Sequence, residues 1–403
     1  MSARGVVVGA GAAGTAAAWA LCRAGRAGRE VLVLDGGLGA SGLGGGAVDD
    51  VPWEEIERAE RALGAGGLAS PIDAAVRAFA AELGLWSLPE DTRLLVATTA
   101  GRVRPARGAD AALLDLGALA GRRIGIPRAE RVGWDADSLA RGLAAEPALR
   151  ARSFELKAID AVLFRHRGGE TFPDAELAAL LDDPAHLAWL AERLREAVTR
   201  TPVDALLVGP WLGLDAGRAA ALSERVGVPV GEALSATSTT AGLRFERARD
   251  RLLARIGATL QRGRVAALTR RDAGFALQLA DGSTLLADEV ILALGGVAGG
   301  GVVYEPSERS AGRDMPARAR LPFRLSLDAE LPLRFGDAEL DVGGSLFGPD
   351  LDEGLWPNGP LGGPLERVGL DAAPMSGVRV VGDLVAARPR TLLVAVASAL
   401  ASA

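Results

Sequence analysis

One stretch near the N-terminus constrains this chain more than any other. GVVVG at 5–9 is followed by AAGTAAAWALCRA at 12–24 and EVLVLD at 30–35. The outer pieces are apolar runs of strand length, and the middle one is an alanine-rich helix former. Gly9, Gly11 and Gly14 satisfy G-x-G-x-x-G, and Asp35 ends the second strand. The glycines alone say little. Set between a strand and a helix, with an acid about 20 residues on, they form a dinucleotide fingerprint. Gly9 permits the tight turn, Gly11 lets a pyrophosphate approach the backbone, and Gly14 lets the helix pack on the strand. The backbone of Ala10, Ala12 and Ala13 belongs to the same helix start, whose free N–H groups and partial positive charge suit phosphate. Asp35, followed by Gly36, accepts hydrogen bonds from ribose hydroxyls and disfavours a 2′-phosphate, which argues against NADP.

Similar features recur late in the chain. VILALGG at 290–296 contributes Ala293 and Gly295, and VRVVGD at 378–383 contributes Gly382 and Asp383. An aspartate after a late strand can hold the ribityl or pyrophosphate side of FAD, so FAD is the expected cofactor and FMN the alternative. With 403 residues the chain is long enough for two domains. The expected fold is α/β: a Rossmann-like FAD-binding domain built from discontinuous segments, with an inserted α+β second domain. Residues 1–70, 235–305 and 370–403 are assigned to the first. Residues 71–234 and 306–369 are assigned to an inserted substrate or partner domain. Helices are expected at 53–64, 73–84, 174–183, 186–200, 216–227 and 242–256. A strand is expected at 93–97, and a meander through GRVAALTRRD, GFALQLADGS and TLLADEVILALGG. Residues 305–375 are rich in Pro, Gly and charge, with short strand-like pieces.

Composition narrows the chemistry. The formal net charge is −6 with no basic block, so nucleic acid is not an expected partner. Cys22 is the only cysteine, so the chain alone makes no intrachain disulfide, iron–sulfur cluster or redox dithiol. Electrons passing through it need an organic cofactor or a partner subunit. Lys157 is the only lysine, which removes Schiff-base chemistry from most of the chain. His166 and His186 lack partners at metal spacing, so no metal site is expected. No residue is assigned as catalytic; Cys22 reads as a small buried hydrophobe, and Tyr304, the only tyrosine, follows GGVAGGGVV within reach of a bound flavin. In GRVRPAR at 101–107, alternation puts Arg102 and Arg104 on one face of an extended segment. Arginine forks there suit the phosphate or carboxylate of a small-molecule substrate. No signal peptide is visible, and the apolar tail 391–403 is shorter than the ~20 residues a membrane span needs. A cytoplasmic protein with no direct membrane span is expected.

The three nucleotide-like segments together resemble the two-dinucleotide-binding flavoprotein superfamily. GASGLGGGAVDD at 39–50, LLVATTAGRVRPA at 94–106, PWLGLDAGRAAALSERVGVPVGEAL at 210–234 and GLRFERARDRLLARIGATLQRGRVAAL at 242–268 resemble the second subunit of the anaerobic glycerol-3-phosphate dehydrogenase. The resemblance runs nearly end to end. It implies a flavin protein working with two partners, a catalytic flavoprotein subunit and an iron–sulfur subunit, and docked at the inner membrane through them. The implied reaction oxidises glycerol 3-phosphate and passes electrons to quinone. It also implies Ser41 and Gly42 near the flavin and Val265 against the adenine. One departure stands out: LVAARPRTLLVAVASALASA after Asp383 has no glycine where the superfamily has a glycine-rich helix start. Arg388 and Arg390 are candidates to supply positive charge there instead. Two rival readings follow, an assembly subunit with weakened or lost flavin and a stand-alone fumarate-reductase-like FAD dehydrogenase.

Overall fold

A computed structural model of the chain describes all residues except 1, 50–53, 55–73, 91–93, 165–170, 216, 235–239, 297–298, 306–307, 311–312, 316–317, 327–332, 335–368, 371–376, 386–387 and 403. The helix expected at 53–64, His166 and most of 305–375 lie outside the described residues.

The N-terminal unit forms as its sequence dictates: strand β1 (Ser2–Val8), helix α1 (Ala12–Arg23) and strand β2 (Val31–Asp35). Helix α2 (Thr240–Arg255) leads into β3 (Thr259–Arg262), β4 (Val265–Arg270), β5 (Phe275–Leu279) and β6 (Thr284–Leu292). Two further strands, β7 (Arg324–Ser326) and β8 (Val378–Val380), precede the last helix, α3 (Leu392–Ala401). Among the described residues these eight strands form one sheet in the order β3-β2-β1-β6-β5-β4-β7, with β8 also on β6. Strands β3, β2, β1 and β6 run parallel, whereas β6-β5-β4 is the expected antiparallel meander.

The apolar runs are continuous rather than alternating because both faces of the parallel part are buried. Val7, Val33 and Ile291 pack with α1, α2 and α3. Val6, Val8, Leu32, Leu34, Val290 and Leu292 face the other way, onto the meander. Alanines dominate α1 because it is buried from Ala12 to Trp19 between the sheet and α3. Cys22 is half-buried on α1, and burial raises its thiol pKa, so it behaves as a small hydrophobe. β7, drawn from a segment assigned to the insertion, instead extends the large sheet by pairing with β4 through Ala267 and Arg324.

A second, four-stranded parallel sheet is built from Val230–Glu232, Ala205–Val208, Arg123–Pro127 and Glu155–Ile159. Small antiparallel pieces lie beside it, including the hairpin of Leu94–Ala97 with Val103–Ala106. The helix expected at 186–200 begins two residues earlier, at Pro184. Proline suits a first helical position, and the Asp183 carboxylate caps it by accepting from the Ala185 amide at 2.7 Å. Gly227 ends Arg218–Val226 in the left-handed conformation, φ 88°, as its sequence position implies.

A buried charge cluster ties α2 to the second sheet. Arg244, only 1% exposed, donates to Glu232 at 2.6 Å, to Asp110 at 3.1 Å and to the Gly213 carbonyl at 2.6 Å. Burial pushes the Glu232 carboxyl up to about 7; Arg244 opposes the shift and Asp110 adds to it. A carboxyl whose folded pKa exceeds its unfolded value binds more protons when folded, so its contribution to stability declines as pH rises through that window. Stability is therefore expected to fall between about pH 4.5 and about pH 7 on account of Glu232. Denaturation midpoints against pH check this: Glu232→Gln should flatten the slope in that window, and an unaltered slope contradicts it.

Candidate functional site

The site sits where strand order reverses, outside the carboxyl ends of β1 and β6. Open α/β sheets bind ligands at such a switch point. β1 pairs Val8 with Leu34 of β2 on one side and with Leu292 of β6 on the other. The chain leaves β1 at Gly9, whose φ of 114° a side chain rarely adopts. A Cβ at Gly9 would lie 2.2 Å from the Ala293 carbonyl oxygen, and one at Gly14 would lie 1.8 Å from the Gly9 oxygen. Both glycines therefore allow backbone to pack on backbone. Gly11 differs: its Cβ would meet only the Ser41 hydroxyl, at 3.2 Å. It is the glycine that leaves space for a ligand.

A cavity of about 550 Å³ opens there. Gly9, Ala10, Gly11, Ala12 and Ala13 line it from the start of α1. Gly36 and Ser41 line it from the loop after β2, and Val265, Ala293 and Gly295 from the meander and the end of β6. Asp383 and Arg104 complete the predicted residues that reach it. These twelve positions come from segments spread over nearly the whole chain and converge on one space. The hydroxyl of Ser41 accepts from the Ala12 amide at 2.9 Å, standing at the α1 N-terminus where a phosphate oxygen would.

Other predicted residues lie elsewhere. Gly14 and Gly382 pack behind the cavity, and a Cβ at Gly382 (φ 70°) would meet Ala13 at 2.7 Å. Gly42 is a helix contact rather than a cradle residue: its carbonyl would sit 1.9 Å from a Cβ on Gly242 of α2. The Asp35 carboxylate accepts from the Gly37 amide at 3.0 Å and lies 3.6 Å from the Arg249 guanidinium. Arg102 and Arg104 do not act together. Arg102 belongs to the tight turn Thr98–Arg102, outside the regular strand, and pairs with Glu146 at 3.0 Å while 60% of its side chain is exposed. Arg104, two residues on, reaches the cavity. His186 is in the first turn of Pro184–Arg200, away from the cavity. Tyr304 lies on the strand Val303–Glu305.

Four residues of the site were not foreseen. Arg264 donates from Nε to the Gly36 carbonyl at 2.9 Å and closes the loop that follows Asp35. Arg249, 6% exposed, donates to the Ala10 carbonyl at 3.3 Å and so bridges Asp35 to the glycine turn. Asp49 lines the cavity and pairs with buried Arg107. At Asp383, burial pushes the carboxyl up to about 6; Arg390 opposes this and Asp49 adds to it. A carboxyl ionising there can either donate to or accept from a sugar hydroxyl. Arg390 is thus committed beside Asp383 and is not a free counter-charge. Among the described residues no group of three or more His, Cys, Asp or Glu is placed to hold a metal, and no helix is long and apolar enough to cross a membrane.

Residues 7–83 match a family model described as an NAD(P)-binding Rossmann-like domain, and residues 243–297 match one described as FAD-NAD(P)-binding. No curated protein matches the chain. Solved structures similar to it include 3-ketosteroid-Δ4-(5α)-dehydrogenase from Rhodococcus jostii RHA1, at 15% identity and TM-score 0.28 over 74% of this chain and 46% of that one. A flavocytochrome c3 fumarate reductase aligns at 13% identity and TM-score 0.31 over 74% of this chain and 34% of that one. The pyrroindomycin Diels–Alderase aligns at 9% identity and TM-score 0.31, covering 98% and 63%. The chain thus spans less than two thirds of each of these neighbours, and likeness at this level fixes no substrate or reaction.

Both matched segments meet at the cavity. The cradle fits FAD: the Cβ-free approach at Gly11 and the α1 amides suit its pyrophosphate, and the Asp35–Arg249–Arg264 end suits its adenosine. FAD is the cofactor this cradle supports. FMN has no adenosine to place at that end.

Proposed function

We propose that this chain is a flavin-dependent oxidoreductase subunit, similar to the second subunit of the anaerobic glycerol-3-phosphate dehydrogenase, that takes part in dehydrogenating a small hydroxylated or phosphorylated substrate. The observation that carries this reading is a single cavity shared by the dinucleotide cradle and Arg104 of the hairpin formed by Leu94–Ala97 and Val103–Ala106. FAD supplies the two-electron chemistry, and the protein supplies position and electrostatics. The glycine turn and α1 hold the pyrophosphate. Asp383 holds or releases a proton at its carboxyl against a cofactor hydroxyl. Arg104 orients an anionic substrate group, and Leu234 and Ala47 help to exclude water from the same space.

With Cys22 as the only cysteine, onward transfer over any distance needs a partner. A catalytic flavoprotein subunit and an iron–sulfur subunit are the proposed partners, and they would account for any attachment at the inner membrane. Anaerobic mixing of the FAD-loaded chain, alone and with co-purified partners, with glycerol 3-phosphate tests the reading. Bleaching of the flavin band supports it; a band unmoved by this and related hydroxy acids and phosphates, with partners present, sinks it. Arg104→Met is expected to weaken reduction at low substrate about 10- to 100-fold, since hydrogen bonds to charged groups are worth roughly 1.5–3 kcal/mol. The loss should appear in KM more than in kcat, and equal KM values contradict the assignment.

A further inference from the structure

We propose that Asp49 is a built-in occupant of the α3 N-terminus and that, with Arg107, it sets the redox potential of the bound FAD. The inference rests on FAD occupying the cavity described above. Asp383 lies next to the start of α1, because its neighbour Gly382 packs on Ala13. Beyond Asp383 the cavity wall is Leu392 and Ala395 of α3, together with Asp49. With the ADP half held at the glycine turn, the rest of the cavity left for the flavin half would include this wall.

A helix N-terminus offers unsatisfied N–H groups and a partial positive charge, and it favours an anion. In α3 those groups are already taken. The Leu392 amide donates to Asp49 Oδ1 at 2.7 Å and the Leu393 amide to Oδ2 at 3.1 Å. The Val394 amide goes to the Thr391 hydroxyl at 3.3 Å. Asp49 also pairs with Arg107, and each side chain is 1% exposed. The carboxylate reaches this position from a backbone φ of 47°, one of two positive values among described non-glycine residues. Such a conformation persists where surrounding contacts over-determine it, and here the pairing with Arg107 and α3 does so.

Asp49 and Arg107 cancel, Asp383 faces Arg390, and the α3 dipole end is spent on Asp49. Two-electron reduction adds negative charge to the flavin ring unless protons follow. An open helix end would stabilise that charge; these two neutral pairs do not, and the other cations lining the cavity, Arg104 and Arg264, lie on other segments. Asp49 is thus a positioning residue that holds the potential low, and Arg107 offsets part of its effect.

The test is spectroelectrochemical measurement of the FAD potential in the full chain and in Asp49→Asn and Arg107→Gln. Asp49→Asn should raise the potential by the equivalent of a tenfold shift in relative affinity toward reduced flavin, about 30 mV for a two-electron couple. Arg107→Gln should lower it. Opposite signs distinguish charge from a merely structural role. If a single variant fails to fold, the double variant Asp49→Asn, Arg107→Gln keeps the buried pair neutral and frees one of the two α3 amides, because asparagine offers a single acceptor oxygen, so its potential should also rise. FAD bound with an unmoved potential in these variants overturns the inference. A wild-type chain that takes up no FAD instead overturns the cofactor reading beneath it.

Discussion

Gly11→Val is expected to leave the fold intact and weaken FAD binding about 100-fold or more, whereas Gly14→Ala is expected to damage the fold itself. The two glycines belong to one motif but meet different surroundings. Gly11 has an ordinary helix-cap φ of −72°, and a Cβ there meets only the Ser41 hydroxyl. A side chain there therefore asks the Ser41 hydroxyl to give way by a few tenths of an ångström and fills the space where pyrophosphate approaches. A 100-fold loss corresponds to about 2.7 kcal/mol, while the stability change should stay near the ~1 kcal/mol that an unfavourable N-cap residue costs. At Gly14 the added methyl would sit 1.8 Å from the Gly9 carbonyl, with α1 and β1 both fixed by packing on their far sides. Overpacking of this kind costs about 1–3 kcal/mol or more. Titrating FAD into each variant and measuring urea unfolding separates the two. A stable Gly14→Ala, or a Gly11→Val that binds FAD normally, contradicts the division of roles.

The second large effect is expected at Arg244→Met. This guanidinium faces two carboxylates, Asp110 and Glu232, in a place where all three side chains are at most 2% exposed. Removing it leaves two uncompensated acids, and breaking such a buried pair costs about 3–5 kcal/mol. The loss should show in the urea midpoint and should be larger at high pH, where Glu232 is ionised. Because Arg244 belongs to α2 while Glu232 and Asp110 belong to strands near the Leu234 wall, FAD affinity should fall as well. A loss under about 1 kcal/mol would mean the cluster contributes what an exposed pair does.

What could be read from the sequence divides along physical lines. The β1–α1–β2 unit is local: its strands, glycine turn and terminal Asp35 lie within some 30 consecutive residues, and each step follows from short-range rules. The meander was legible for the same reason, through turn signals such as Asp281–Gly282 and alternation along β5. The charged half of the site was not. Asp49 meets Arg107 across 58 residues, and Arg249 reaches Ala10 across 239. Neither pairing leaves a mark on local periodicity; Arg249 reads as one more charge on an amphipathic helix. The pairing of Arg102 with Arg104 failed because alternation holds only inside a regular strand, and Arg102 closes a turn before Val103–Ala106 begins. Gly42 carries no local signal of its partner either. Its place near the flavin came from the resemblance alone, and the close approach its backbone makes is to Gly242 of α2.

These distinctions place the specificity of the cradle in its ADP end, in Gly11, the α1 amides and the Asp35–Arg249–Arg264 group. Equilibrium titration of the full chain with FAD, FMN and riboflavin, followed by flavin fluorescence, tests that directly. One FAD per chain should bind at least 100-fold more tightly than FMN, because FMN carries no adenosine and only one phosphate to that end. Equal affinities for FAD and FMN, or a chain that binds neither, would contradict it.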